Sequence, residues 1–171
     1  MFDQAIVRDA KRGRWLRFTD CIDSVSCRDT SAVADLLAEI ERRCREESLH
    51  AVGYVSYEAA PAFDASLPTQ TTHLPLIGFA LFRAPEVLDT TPMHGLEEVS
   101  ESLEWRLGES QEAFQHKVES VRSLIAEGAV YQINLTSRLS QSGVLTEADF
   151  FRIAEGMPYA TFLSGPEVAI A

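Results

Sequence analysis

Four polar side chains alternate along one short stretch of the chain, and their chemistry suits the binding of a polar ligand. Residues 127–139 read EGAVYQINLTSRL, and from Tyr131 onward apolar and polar residues alternate as in a β-strand with one buried face. The polar positions are Gln132, Asn134, Thr136 and Arg138. Two amides, a hydroxyl and a guanidinium supply donors and acceptors for a neutral or anionic ligand, or for a hydrogen-bond network within the protein. The network is the more common role of such a face, and ligand binding is the alternative.

A helix is predicted directly before this strand. Ser110 is a candidate N-cap, and Gly128 can end the helix in the left-handed conformation at little cost because it has no Cβ. Apolar residues recur between them at intervals of three and four, which marks the buried face of a helix. They are Phe114, Val118, Val121, Leu124 and Ile125. The apolar face of the strand, which we also expect in the core, comprises Tyr131, Ile133, Leu135 and Leu139.

Other patterns predict further strands and two more helices. The strands cover residues 5–7, 15–18, 21–27, 51–57, 76–82 and 158–162, with an apolar strand-like run at 168–171. One helix begins near Asp29 and Thr30, and its apolar face is Val33, Leu36, Leu37, Ile40 and Cys44. A shorter helix is capped by Thr146 with Asp149, runs to Glu155 and stops at Gly156. Together these elements predict an α+β fold with antiparallel sheets and packed helices.

A domain boundary is predicted at Gly108–Ser110. Residues 1–108 would form an N-terminal sheet-and-helix region, and residues 109–171 would begin a second domain. The acidic residues of the stretch before this boundary overlap an alternation of apolar residues, so they predict a strand with one charged face rather than a metal site. They are Glu97, Glu98, Glu101 and Glu104. Residues 65–72 are polar and include Pro68, which predicts a surface loop.

Composition narrows the classes of protein. The formal net charge of -11 opposes binding to a nucleic-acid backbone, and no apolar run has the length needed to cross a membrane. The N-terminus lacks the pattern of a signal peptide, so we expect a cytoplasmic protein. The odd number of cysteines and the absence of paired spacing predict free thiols, and the scattered histidines suggest no metal site.

Residues 127–139 resemble the Gly-Asp-x-Tyr-Gln-x-Asn-Leu-Thr-x-Arg stretch of the aminodeoxychorismate synthase component I family, one branch of the chorismate-utilising enzymes. Ala129 stands where that family usually has an acidic residue. The triplet Asn134-Leu135-Thr136 is more similar to this branch than to anthranilate synthase. The resemblance implies ligand-binding roles for Gln132, Asn134 and Thr136.

A second resemblance to the same family lies in residues 53–64, GYVSYEAAPAFD. From the residues alone, Ser56 and Glu58 suggest a catalytic hydroxyl and carboxylate, but no neighbouring histidine or lysine would activate the serine. A junction from strand to helix, with Glu58 in the first helical turn, is favoured. Pro158 and Tyr159 resemble, more weakly, part of a segment of the same family that lines a tryptophan pocket in several relatives. The resemblance implies ligand-binding roles for these two residues. An aromatic core residue is the alternative for Tyr159.

The resemblance implies the fold and the reaction of the complete enzyme. This chain would supply the N-terminal portion of the chorismate-utilising fold, with residues 109–171 beginning the chorismate-binding domain. The enzyme replaces the 4-hydroxyl of chorismate with ammonia, which a glutamine amidotransferase partner provides, and Mg²⁺ assists. The family's catalytic and Mg²⁺-binding residues would follow Ala171, so no catalytic residue and no metal ligand is assigned here.

Two other functions stay open at this point. Anthranilate synthase component I would share the fold, and a non-catalytic small-molecule binding module would retain only the N-terminal part. We also expect an unfinished sheet to pair with a second copy through its edge, because unpaired strand backbone groups template association. Such a chain would dimerise or aggregate as its concentration rises.

Overall fold

The computed structural model describes residues 2–89, 105–141, 143, 146–166 and 169–171. Within these residues the strands are β1 (Gln4–Asp9), β2 (Arg14–Phe18), β3 (Cys21–Cys27), β4 (His50–Val55), β5 (Ile77–Phe82), β6 (Glu86–Leu88), β7 (Arg106–Leu107), β8 (Leu139–Ser140), β9 (Thr161–Ser164) and β10 (Ala169–Ile170). The helices are α1 (Val33–Glu46), α2 (Gln111–Ala126) and α3 (Glu147–Ile153), with 3-10 turns at Thr30–Ala32 and Tyr57–Ala62. The predicted fold class, α+β with antiparallel sheets, is confirmed.

Two antiparallel sheets carry most of the strands. The first has the order β10-β9-β1-β2-β6, and the second has the order β3-β5-β4. Strands β1 and β2 form the predicted hairpin, in which Ala5 pairs with Phe18 and Asp9 with Arg14. The turn places Gly13 at a φ of 65°. A glycine suits this left-handed position because a Cβ would strain the backbone there.

The two sheets pack face to face, and a helix covers each outer side. Ala5, Phe18 and Leu163 of the first sheet meet Ala80 and Phe82 of the second in one buried cluster. On the opposite side of the first sheet, α3 packs its aromatic residues, as shown by the cluster of Ile6, Trp15, Phe150, Phe151, Ala154 and Phe162. On the opposite side of the second sheet, Ile40 of α1 packs on Leu81. The alternation of strand side chains therefore builds a layered sandwich.

Local capping fixes where the helices begin. Asp29 accepts a hydrogen bond from the backbone N–H of Ser31 at 2.9 Å, just before α1. The predicted capping box of α3 is present, with Thr146 and Asp149 each bonded to the other's backbone N–H at 3.1 Å. The helix ends at Ile153, two residues earlier than predicted, and Gly156 follows with a φ of 75°. Both caps satisfy backbone groups that a helix end leaves unpaired.

The strand predicted for residues 131–139 is wrong except at its end. Only Leu139 and Ser140 pair with another strand, β7, in the described part of the chain. Most of the predicted core face is exposed instead: Tyr131 is 94% exposed and Leu139 56% exposed, while Leu135 is half-buried. Alternation shows which side of a segment is apolar, but a strand forms only where its backbone groups find a partner. Strand β7 offers such a partner to two residues only.

The apolar stripe of α2 is likewise not in a core, contrary to the prediction. Helix α2 forms over the predicted residues, yet none of its residues is buried among the residues that the structure describes. Phe114, Leu124 and Ile125 are each about two fifths exposed. The periodicity correctly identified the helix, whereas burial depends on a covering surface that spacing alone does not specify.

The chain divides into two compact units. One comprises Met1–Glu97 with Leu145–Ala171 and holds both large sheets, and the other is Glu98–Val144, which holds α2 with β7 and β8. The domain boundary predicted from the sequence, after residue 108, stays a prediction. The strand with one charged face was predicted to include Leu103, Trp105 and Leu107, and β7 covers Arg106–Leu107 of it. Its acidic part, residues 97–104, lies outside the described residues. No helix in the described ranges is long and apolar enough to cross a membrane.

Candidate ligand-binding site

Helix α2 is defined at both ends by side chains and turns that the sequence specifies. The Ser110 hydroxyl accepts a hydrogen bond from the backbone N–H of Ala113 at 3.2 Å, as an N-cap does. At the other end, Gly128 has a φ of 75°. Its N–H donates to the carbonyl of Ile125 at 3.1 Å, and the N–H of Ala129 donates to Leu124 at 3.0 Å. This pair of bonds is a Schellman motif, which turns the chain out of the helix and into residues 131–138.

We expect Gly128→Ala to weaken this helix end by about 1–2 kcal/mol, because an L-residue at positive φ is strained even where the added Cβ would have no atom within 4 Å of it. Gly128→Asn should cost less, since asparagine adopts the left-handed conformation more readily. Native-state hydrogen exchange of the Gly128 and Ala129 amides measures the effect. Equal protection in the alanine variant and the wild type would contradict it.

The polar residues of the signature segment, residues 131–138, face solvent. Gln132, Asn134 and Thr136 are all exposed, so they are accessible to a ligand. No side-chain hydrogen bond within the described residues engages any of these three. The internal hydrogen-bond network that their types allow is therefore not formed by them there. Exposure leaves their donors and acceptors available for the ligand-binding role, which stays a prediction.

Glu109 fastens the end of the signature segment to α2. Its carboxylate accepts a hydrogen bond from the Ser137 hydroxyl and lies 2.6 Å from the Lys117 ammonium. The Gly108 N–H donates to the Arg138 carbonyl at 2.8 Å. The hydrogen bonds from Lys117 and Ser137 lower the pKa of Glu109 below its ordinary value, because they favour the charged carboxylate. The sequence pattern marks Glu109 only as part of a domain boundary, since its contact with Ser137, 28 residues away, exists only in the fold.

We expect Glu109→Ala to loosen this end of the signature segment. Removing the carboxylate leaves Ser137 and Lys117 without their shared partner, so the Gly108 amide should exchange hydrogen severalfold faster. The wild type should lose the same protection in acid. Because the folded-state pKa is lowered, the stabilisation is present above the unfolded value of 4.5 and is lost as the pH falls through the folded value. An exchange rate in the variant equal to that of the wild type at neutral pH would refute this role.

Pro158 and Tyr159 lie in the connection between α3 and β9, and both are exposed. Tyr159 is 79% exposed, so the alternative of an aromatic core residue is wrong. These two residues belong to the compact unit of the two sheets, whereas Gln132, Asn134 and Thr136 belong to the other unit. The predicted site residues thus fall into two sets, one in each compact unit.

A polar cavity of about 290 Å³ opens beside the second motif, and the sequence did not reveal it. Arg28 and Glu58 line it together with four threonines. Arg28 donates a hydrogen bond to the His73 carbonyl at 2.8 Å, and the Thr69 hydroxyl donates to the Glu58 carbonyl at 3.2 Å. As predicted, Glu58 lies in the first turn of a short helix. Arg28 and Glu58, which both line the cavity, are 30 positions apart in the sequence. Local sequence patterns do not predict contacts over that separation.

The structure offers no metal centre within the residues it describes. No group of three or more histidine, cysteine or acidic residues there is arranged to hold a metal ion. The enzymes that the resemblance implies generally depend on Mg²⁺. No Mg²⁺ ligand is assigned among the described residues, and no chemical step is assigned to that ion.

Comparison with known families identifies the class of protein. The family model of chorismate binding enzymes matches residues 3–171, nearly the whole sequence. This chain therefore belongs to the chorismate-binding enzyme family. Comparisons with curated proteins and with solved structures give no significant match.

Proposed function

We propose that this chain is the N-terminal portion of aminodeoxychorismate synthase component I. That enzyme converts chorismate and ammonia to 4-amino-4-deoxychorismate, a precursor of 4-aminobenzoate and folate. Membership of the chorismate-binding family supports a chorismate-utilising enzyme. The observation that carries the finer proposal is the signature segment, whose Asn134-Leu135-Thr136 triplet matches this branch and whose polar side chains are exposed.

The signature segment is suited to chorismate because its exposed groups match the polar groups of that molecule. Chorismate carries two carboxylates and a hydroxyl, which accept hydrogen bonds from amide and hydroxyl donors. Gln132 and Asn134 provide amide donors, and Thr136 provides a hydroxyl. In this proposal they bind and orient chorismate, while the Glu109 contact to Ser137 holds the segment in place.

The rest of the reaction in the proposed enzyme requires groups that are not assigned among the described residues. Mg²⁺ would bind the substrate carboxylate and stabilise developing charge through ligands outside this chain. Ammonia would come from a glutamine amidotransferase subunit or domain. The role proposed for Gln132, Asn134 and Thr136 is substrate binding.

The decisive test is an assay of the intact gene product with chorismate, an ammonium salt and Mg²⁺. Formation of 4-amino-4-deoxychorismate would support the proposal. Formation of anthranilate would assign the chain to the sister branch instead. Absence of both products, with folding verified by circular dichroism, would refute the enzymatic proposal.

Thr136 gives a matched test of the binding role in the same assay. Thr136→Val removes the hydroxyl at almost constant shape, and we expect KM for chorismate to rise about tenfold, the usual effect of losing one buried hydrogen bond to a charged ligand. Thr136→Ser retains the hydroxyl and should stay within about twofold of the wild type. Equal KM values for the two variants would show that the hydroxyl does not bind chorismate.

A non-catalytic binding module is the second candidate, and the polar cavity is the observation that favours it. Arg28 and Glu58 offer opposite charges to the carboxylate and the ammonium of an amino acid. Titration calorimetry of this chain with amino acids, including tryptophan, tests it. Binding that Arg28→Gln abolishes supports the cavity, whereas tryptophan binding that Tyr159→Ala abolishes supports the pocket implied at Pro158 and Tyr159. No heat of binding would leave only the enzymatic proposal.

A further inference from the structure

Two anchors hold the signature segment, one at each end of α2. At the C-terminal end of the helix, the N–H of Ala129 donates to the carbonyl of Leu124 at 3.0 Å, and the chain leaves the helix there. At the N-terminal end, Glu109 directly precedes the N-cap Ser110 and accepts a hydrogen bond from the Ser137 hydroxyl. The segment therefore runs back from one end of α2 to the other.

The length of the chain between these anchors leaves the segment little slack. From Ser110 to Gly128, the helix with its caps extends over about 27 Å, at a rise of 1.5 Å per residue. The chain from Gly128 to Ser137 can span at most about 30–32 Å, at 3.3–3.6 Å per residue. No backbone hydrogen bond to another described residue fixes residues 131–136 between the anchors. The two end contacts therefore set where the polar side chains of the segment lie.

The Glu109 carboxylate is shared between the signature segment and α2. Its Oε1 accepts the hydrogen bond from Ser137, while its Oε2 lies 2.6 Å from the Lys117 ammonium. Oε2 is buried from solvent, and in the described part of the chain Lys117 is the only cation paired with it. Because water does not reach this oxygen, loss of the ammonium would leave a buried charge without compensation.

Lys117 reaches the carboxylate from within α2. Side chains of a helix lean toward its N-terminus, so the lysine points back toward Glu109. The two residues are eight positions apart, and Glu109 lies before the helix, so this is not one of the local pairs that support a helix from within. The ion pair instead joins the helix to the residue that holds Ser137.

We propose that Lys117 is a positioning residue for chorismate binding, which acts through Glu109 and Ser137 rather than by touching the substrate. The ammonium holds the carboxylate toward the Ser137 hydroxyl, and that contact keeps the neighbouring Thr136 where it meets chorismate. This inference rests on the proposed function, because it requires that the signature segment binds chorismate. A displaced segment weakens binding and leaves the chemical step unchanged, so KM changes while kcat does not.

Variants of Lys117 in the intact gene product test the role by steady-state kinetics. Lys117→Met removes the ammonium and keeps a long apolar side chain. We expect it to raise KM for chorismate about threefold to tenfold, with kcat within about twofold of the wild type. Lys117→Arg keeps a cation and should restore most of the affinity. As a control, Arg122→Gln removes a positive charge from an exposed position of the same helix and should leave KM within about twofold.

A double-mutant cycle shows whether Lys117 acts through Glu109. In a Glu109→Gln background, Ser137 keeps an acceptor oxygen, but the charge that pairs with Lys117 is gone. Lys117→Met should therefore change KM by less than about twofold in that background. An equal effect of Lys117→Met in both backgrounds would mean that the lysine acts on chorismate without Glu109, and it would overturn the inference.

Hydrogen exchange separates a failure of this inference from a failure of the proposed function. The Gly108 N–H, which donates to the Arg138 carbonyl beside the Glu109 contact, should exchange faster in Lys117→Met and near the wild-type rate in Lys117→Arg. If the wild type forms product but Lys117→Met changes neither KM nor this exchange, only this inference is overturned; an unchanged KM alone also overturns it. If the folded wild type consumes no chorismate, the proposed function falls with it. Anthranilate as the product would change the branch and leave the inference in force, because KM for chorismate is measured with either product.

Discussion

Gly53→Ala is expected to lower the free energy of unfolding by about 3 kcal/mol or more, enough to leave much of the chain unfolded. A Cβ at this position would lie 2.1 Å from the Gly78 carbonyl oxygen and 2.6 Å from Cα of Phe79. Both are backbone atoms of β5, the strand to which β4 is hydrogen-bonded. Since a backbone cannot rotate away as a side chain can, β4 and β5 would have to separate. Urea unfolding followed by circular dichroism measures the loss.

Gly13→Ala is the matched control for this change. Gly13 has a φ of 65°, but nothing lies within 4 Å of the Cβ that alanine would add. The expected cost is only the strain of the left-handed conformation, about 1–2 kcal/mol. If Gly53→Ala were no more destabilising than Gly13→Ala, the close approach of β4 to β5 would not constrain residue 53.

The sequence correctly predicted the elements that depend on residues close together along the chain. The β1–β2 hairpin, the start of α1 and the capping box of α3 follow from alternation, turn residues and caps, and the structure contains all three. The Gly128 stop likewise follows from the freedom of a glycine at positive φ. Each of these features depends on residues a few positions apart, where backbone geometry links sequence directly to structure.

Burial and pairing could not be predicted in the same way. Residues 131–138 have a strand pattern, but only Leu139 and Ser140 find a strand partner among the described residues. The stripe of α2 has a helical pattern, but the same part of the chain supplies no cover for it. A periodic pattern reports a preference for an interface, while the interface itself requires a second surface from elsewhere.

The candidate sites likewise include residues that the sequence predicted and contacts that only the fold creates. Gln132, Asn134 and Thr136 were selected from their types and spacing, and the structure adds that they are exposed. The Glu109–Ser137 contact and the cavity at Arg28 and Glu58 join residues 28 and 30 positions apart, and neither could be read from spacing. The class of protein was recognised from short motifs because functional residues are more specific in type than core residues are.

Phe151→Ala is expected to cost about 3–5 kcal/mol, the range for removing a buried aromatic side chain and leaving a cavity. Phe151 is fully buried between α3 and the first sheet. Its ring meets Trp15 edge to face, with centroids 5.1 Å apart, and lies 5.4 Å from the ring of Phe150. Truncation removes both aromatic contacts and much of what holds α3 to the sheet. Urea unfolding should show a lower midpoint with a similar slope.

Ile153→Ala, in the same helix, separates this packing effect from a change in helix propensity. Ile153 is 58% exposed, so its truncation leaves no buried cavity and should change the free energy of unfolding by less than about 0.5 kcal/mol. Alanine has the higher helix propensity in both variants, so propensity alone would stabilise each of them. A loss at Phe151 no greater than the change at Ile153 would mean that α3 contributes little to the core. A loss several times greater would show that the short helix stabilises the sheet that pairs β9 with β1, and with it the strand that follows Pro158 and Tyr159.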